Sequence, residues 1–147
     1  IYQAVLEHTL NKWLICLKEW QVTGTPEETI TNYIDKKLEF SRDHAAGSKV
    51  FANEIIEGAP MLKDLLGEEL KSLVGENIRV IRGWIKEGQI SPIEPIHLIF
   101  MIWAVTQHYA DFAVQIETLT GKTLQDEDFY KQAKKTVTQI ILNGILK

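Results

Sequence analysis

Residues 95–112 read PIHLIFMIWAVTQHYADF, and the fold turns on this stretch. From Leu98 to Val105 the run is apolar almost without interruption. A helix apolar on nearly all sides is a buried helix, not a surface one. Gln107, His108 and Asp111 then follow among aromatics, with no helix breaker between. An unpaired buried polar group costs about 1–3 kcal/mol, so these side chains need partners. The segment is therefore a central core helix that ends at an interface, or the wall of a pocket whose ligand supplies the partners.

Outward from this helix, the rest of the chain has the same period. Val5, Leu6, Leu10, Trp13, Leu14 and Leu17 recur at helical spacing over residues 1–20. Thr23-Gly24-Thr25-Pro26 ends that helix and starts the next, with Thr25 as N-cap, Pro26 at the first helical position and Glu28 completing a capping box. Ile30, Tyr33, Ile34, Lys37, Leu38 and Ser41 then share one face, to about His44. A break at Ala45–Ser48 precedes a short helix carrying Val50, Phe51, Glu54 and Ile55, which stops at Gly58. Leu62, Leu65, Leu66, Leu70, Leu73, Val74, Ile78, Ile81, Trp84 and Ile85 define one long amphipathic helix. The opening helix is expected from about Glu94 to Leu119, and a last one from Asp126 to Leu146. No alternating strand pattern of any length is present. The reading is all-α, six helices and no sheet, forming one domain over residues 1–147.

The 147 residues are enough for one core without staples. The net charge of −4 argues against a general nucleic-acid-binding surface here, which would show a basic stripe. Cys16 is the single cysteine, so no internal disulfide can form, and a reducing, cytoplasmic setting fits. No segment reaches the roughly 18 apolar residues of a membrane span, and no membrane partner is expected. The chain starts inside a helical pattern at Ile1, which reads as a fragment with its upstream part missing.

Catalytic chemistry finds little support. A di-iron carboxylate bundle needs two Glu-x-x-His pairs. Glu94-Pro95-Ile96-His97 is the single match, and it holds a proline at a helix start. His8, His44, His97 and His108 are scattered and form no ligand cluster, so no metal and no cofactor are expected. Phosphate loops, dinucleotide fingerprints and nucleophile elbows are absent. Cys16, beside Trp13 and Leu17, reads as a small core residue. An enzyme is disfavoured.

What remains is a set of aromatics and polar groups at buried-looking positions. Trp103 and Gln107 are four apart and share a helix face. Trp13 lies on the apolar side of the first helix, and Phe51 and Glu54 lie on one face of the short helix. A tryptophan on such a face is ordinarily core, and Glu54 is ordinarily paired with a base or a helix N-terminus. Gln107 is the hardest to assign to the core, because its amide must both donate and accept. The segments from Ile99 to Phe112 and from Val137 to Ile145 are more apolar than one small core requires. Two copies could pair them as a four-helix interface. Both could equally sit in the monomer core.

The helix order resembles the C-terminal ligand-binding and dimerisation domain of TetR-family transcriptional repressors. Ile1-Tyr2-Gln3-Ala4-Val5-Leu6 looks like the family's first helix after the DNA-reading head. More narrowly, several strings resemble the family's pyrimidine-utilisation regulators. They are Leu38-Glu39-x-Ser41-Arg42-Asp43, Gly58-Ala59-Pro60, Pro95-x-His97-Leu98 running on to Ala104, and Thr106-Gln107-His108-Tyr109-Ala110-Asp111-Phe112 running on to Gln115. The likeness spans the chain and is patchy over residues 18–34 and 61–90.

The resemblance implies a homodimer that binds a small-molecule effector, uracil or thymine, and thereby leaves DNA. DNA would be contacted only through a helix-turn-helix domain upstream of residue 1. It implies ligand contacts at Trp13, Phe51, Glu54, Trp103 and Gln107, and a dimer interface at His108, Asp111, Phe112, Val137 and Ile141. Two alternatives stand beside it: a similar sensor of another small aromatic or hydrophobic molecule, and a helical dimerisation module without a ligand.

Overall fold

The structure is a computed structural model that describes residues 1–20 and 24–147, the side chains of residues 64–66 excepted. The turn position Thr23 and the Leu65 and Leu66 side chains thus lie outside the described residues. Among the described residues there are seven helices and no strand: α1 (Tyr2–Lys18), α2 (Pro26–Asp43), α3 (Ala45–Ile56), α4 (Lys63–Lys86), α5 (Pro95–Asp111), α6 (Ala113–Thr120) and α7 (Glu127–Ile145). Among the described residues, no helix is long and apolar enough to cross a membrane.

The helix starts follow local chemistry. Thr25 caps α2 by accepting the Glu28 amide at 3.1 Å, with Pro26 in the first turn. Asp126 caps α7 through the Phe129 amide at 2.9 Å. Such caps stabilise by about 1 kcal/mol each. Gly58 has φ 95° just beyond α3, the left-handed end expected there.

Two expected boundaries move. The break before the short helix falls at His44 rather than over Ala45–Ser48, so α3 begins one turn earlier. Glycine within that turn is needed for another reason. A Cβ on Gly47 would stand 2.9 Å from the Thr9 hydroxyl, so α1 and α3 approach too closely for a side chain there. The helix expected from Glu94 to Leu119 is split into α5 and α6 at one residue, Phe112, with φ −117° and ψ 34°. The Phe112 amide still bonds to the His108 carbonyl, and the Ile116 amide to the Phe112 carbonyl. The interruption is thus a local departure without glycine or proline, which explains why periodicity did not reveal it.

α5 is the centre of the molecule and packs chiefly on α2 and α3. Its buried side chains, Leu98, Ile99, Ile102, Thr106 and Ala110, follow one face at helical spacing. Ile99 and Ile102 are fully buried, each worth roughly 1.5–3 kcal/mol of transfer free energy. The polar groups of this face are satisfied. The Thr106 hydroxyl donates to the Ile102 carbonyl at 2.7 Å, and the Ser41 hydroxyl on α2 donates to the Thr106 carbonyl at 2.8 Å. The other face is not buried: Phe100, Met101 and Val105 are exposed. The helix that reads as apolar all round therefore divides into a core face and an open apolar face.

At the far end, Ile90 and Leu146 form an isolated bridge. The Ser91 amide bonds to the Ile145 carbonyl at 2.8 Å, which ties the α4–α5 turn to the end of α7.

Candidate functional site

Between α1, α2, α3 and α5 lies a cavity of about 670 Å³. α1 supplies Leu10, Trp13 and Leu17, and α2 supplies Tyr33 and Lys37. α3 closes one side with Phe51 and its neighbours, Leu70 on α4 reaches in, and α5 contributes Trp103, Gln107 and Asp111. The lining is mostly apolar and aromatic, with a few polar groups, as in small-molecule sites generally.

The aromatic rings hold one another. Trp13 meets Phe51 edge-on at 4.3 Å between centroids and Phe40 at 5.8 Å. Trp103 Nε1 donates to the Tyr33 hydroxyl at 2.7 Å. That bond uses up the indole N–H and fixes the ring, leaving its π surface for contact. Tyr33 is buried, and burial pushes its phenol well above the ordinary range against the pull of the Trp103 bond, so it stays neutral.

The polar atoms differ in what they have. The Asp111 carboxylate accepts the Ser48 hydroxyl at 2.6 Å. Burial raises its pKa, opposed by Ser48, Lys37, His108 and Lys49. Trp13 Nε1 is buried and has no partner among the described residues. Gln107, half-buried on the cavity wall, makes no side-chain hydrogen bond to any described residue. Four residues before it on the same face is Trp103. The cavity thus presents on α5 a donor–acceptor amide unsatisfied by the described residues, and the Trp13 N–H on α1, buried in the wall, is unsatisfied as well. A buried donor left so costs about 1–3 kcal/mol, a cost a bound molecule removes.

Of the residues singled out from sequence, Trp13, Phe51, Trp103 and Gln107 come together around this cavity. Glu54 does not. Although fully buried on α3, its carboxylate accepts the Met61 amide at 2.6 Å, the Leu62 amide at 3.1 Å and the Tyr2 hydroxyl at 2.8 Å. Burial opposes its ionisation, but those three donors hold its carboxyl below the usual range. Its acceptor sites are filled by the turn entering α4 and by the start of α1, so it is a structural anchor rather than a cavity group. The bond to amides before a helix was the ordinary reading of this residue.

The residues grouped as a dimer interface also separate. Asp111 and Phe112 line the cavity of a single chain. Phe112 is exposed as well, and His108 stacks on it at 5.0 Å with planes 16° apart. Val137 and Ile141 on α7 are half-buried against the monomer core.

Lys37 carries no role in the sequence reading, although it stands on the apolar face of α2 between Tyr33 and Leu38. It is 2% exposed, lines the cavity, and places its Nζ 4.2 Å from the centre of the Trp13 ring. A lysine on the buried face of an amphipathic helix was the available signal. Groups of three or more metal-ligating side chains are absent among the described residues.

Comparison with known proteins agrees with this architecture. A TetR C-terminal family model, described as YcdC-like protein, C-terminal region, matches residues 6–147. The chain is 49% identical over 145 residues to the HTH-type transcriptional regulator RutR of Escherichia coli strain K12, covering 99% of this chain and 68% of the relative. The RutR of Shigella flexneri matches to the same extent. These relatives are named as transcriptional regulators, not enzymes, and the matching family is a C-terminal region. The chain belongs to the TetR family of transcriptional regulators, as the C-terminal effector-binding part of such a protein.

Proposed function

We propose that the cavity binds a pyrimidine base, uracil or thymine, and that occupancy releases the full-length regulator from DNA. The observation that carries this reading is Gln107. Its amide stands unbonded in a wall of aromatic rings, beside Trp103 and across from α1 with Trp13. Uracil and thymine present a flat face and an imide edge, one N–H between two carbonyls. A side-chain amide offers a donor and an acceptor side by side and can meet that edge with two bonds. The rings supply the faces. A site built for an imide rejects rings without one, because its own polar groups would then be unpaired.

The route to DNA follows from where the contacts lie. Trp13 is on α1, the helix that would continue toward an N-terminal DNA-reading region, and Gln107 is on α5. A ligand touching both favours one relative tilt of these helices, and shifts the equilibrium only by its differential affinity for the two tilts. Couplings of this kind are typically ~1–3 kcal/mol, about 5–150-fold in affinity.

A homodimer in the cytoplasm completes the reading. Phe100, Met101, Val105 and Phe112 on or next to α5, Val114 and Leu119 on α6, and Ile140 on α7 are all exposed. Such an array on three successive helices exceeds the scattered apolar residues of an ordinary surface. Partner contacts at His108 and Phe112 fit this face, with Val137 and Ile141 contributing what the monomer core leaves open.

Calorimetric titration with uracil, thymine and cytosine tests the assignment. Uracil and thymine are expected to bind and cytosine to bind more weakly. No heat with any of the three at millimolar concentration overturns it. The cavity volume favours one second reading. At 670 Å³ it lies within the roughly 300–1,000 Å³ typical of pockets for larger ligands, so a bigger aromatic effector also fits. A thermal-shift panel of small aromatics and aromatic acids separates the two.

A further inference from the structure

Lys37 is a buried cation with no protein counter-ion. Among the described residues it makes no hydrogen bond and no ion pair, and its Nζ stands over the face of the Trp13 ring, 4.2 Å from the centroid. Buried ammonium groups are ordinarily paired, because removing an unpaired charge from water is very costly. The residue nevertheless lines the cavity.

The surrounding helices supply charges acting through space but no direct partner. From α1, Cys16 acts on it only through space. From α3, Lys49 lines the same cavity and offers no counter-charge. From α5, Asp111 acts on it through space but spends a short hydrogen bond on Ser48, and His108 and Lys49 act on Asp111 in turn. On α2 itself Tyr33 is neutral. The charged groups at the α2–α7 contact engage Asp35 and Arg42 instead: Lys134 pairs with Asp35 at 3.7 Å, and Arg42 lies over the Tyr130 ring.

We propose that Lys37 selects the effector, donating as an ammonium to an acceptor oxygen of the ligand and taking up a proton when that ligand binds. The acceptor is an imide carbonyl or a carboxylate on a planar ring. The proposal deepens the pyrimidine reading and rests on it. Burial, opposed by the through-space effects of Cys16 and Asp111, lowers the pKa of Lys37 to about 7 in the empty cavity. An oxygen acceptor placed on the nitrogen favours the charged form and raises it again. The linkage sign follows. The ligand binds the protonated form, so affinity is full below about pH 7 and falls as pH rises, by up to about tenfold per pH unit until the bound-state pKa is reached. Lys37 and Gln107 then recognise the ligand from two different helices, α2 and α5.

The test is calorimetric titration of uracil, and separately of a pyrimidine carboxylate, at pH 6, 7 and 8, on the wild-type chain and on Lys37→Met. Lys37→Gln serves if the methionine variant does not fold, and Asp111→Asn serves as control. The proposal expects the dissociation constant of the bound probe to rise about tenfold from pH 6 to pH 8 in the wild type, and at least as steeply in Asp111→Asn, where loss of the Asp111 charge lowers the Lys37 pKa further. It expects about one proton taken up per ligand at pH 8, read by comparing buffers of different ionisation heat. It expects a flat profile and at least about tenfold weaker binding at pH 6 without Lys37. Tighter binding of the carboxylate identifies an anionic acceptor, and tighter binding of uracil identifies a carbonyl. Binding that is independent of pH, or a slope that survives loss of Lys37 and vanishes in Asp111→Asn, overturns it while leaving the pyrimidine reading intact. No heat from either probe overturns both.

Discussion

Glu54 and Lys37 are both buried charges, and the fold treats them in opposite ways. The Glu54 carboxylate has three donors within 3.1 Å, two of them amides that α4 would otherwise leave bare at its entry. Ala59, in the same turn, sits at φ 56°, a left-handed conformation that costs a non-glycine residue roughly 1–2 kcal/mol. The carboxylate holds that turn. Lys37, one helix earlier, has an aromatic face and the wall of a cavity. A buried charge whose bonds are all made belongs to the architecture. One whose bonds are not made points to something the protein meets later.

Substitutions at the two sites are therefore expected to change stability with opposite sign. Glu54→Ala leaves two amides and the Tyr2 hydroxyl without their acceptor, and it is expected to lower the thermal midpoint more than any other polar substitution named here. Lys37→Met removes a desolvated charge and keeps the volume. It is expected to raise stability at pH 7 by roughly 1–4 kcal/mol, the range seen when buried ion pairs are exchanged for apolar residues of similar volume. Denaturant unfolding of both variants checks this, and a shift of the same sign in both breaks the contrast.

The pH dependence of folding sharpens it. Glu54 has its pKa lowered by folding, so its contribution is complete above the ordinary value of 4.5 and is lost as pH falls through the folded value. Lys37 has its pKa lowered from 10.5 to about 7, so the unfolded chain binds the extra proton between these values and stability rises with pH across that window. Glu54→Gln should flatten the acid limb, and Lys37→Met the alkaline one. Gln107→Ala is the smallest effect on stability, expected within about ±0.5 kcal/mol, because no described protein group loses a bond.

Much of this was legible in the chain. Periodicity gave the helices because each buries one face, and Leu98, Ile99 and Ile102 mark the core face of α5 directly. Trp13, Phe51 and Trp103 were named by the family resemblance, since aromatics on apolar faces are ordinarily core, whereas Gln107 stood out from the pattern itself because a buried amide must both donate and accept. The split at Phe112 was not legible, since no glycine or proline causes it. Nor was the direction of Glu54. Its partners are main-chain amides of a turn seven and eight residues on, and such a contact leaves no mark in side-chain patterning. Lys37 was visible on the buried face of α2. Its meaning depends on its making no direct ion pair with any described residue of α1, α3 or α5, which only the assembled helices reveal.

The measurement that bears most directly on the central claim is calorimetric titration of uracil into the wild-type chain and into Gln107→Ala, both at pH 6. The account predicts one saturable site in the wild type, and loss of at least about tenfold in affinity in the variant, with unchanged unfolding behaviour. Equal affinity in the two proteins would contradict it, because the cavity would then be holding its ligand without the amide that the fold leaves unbonded.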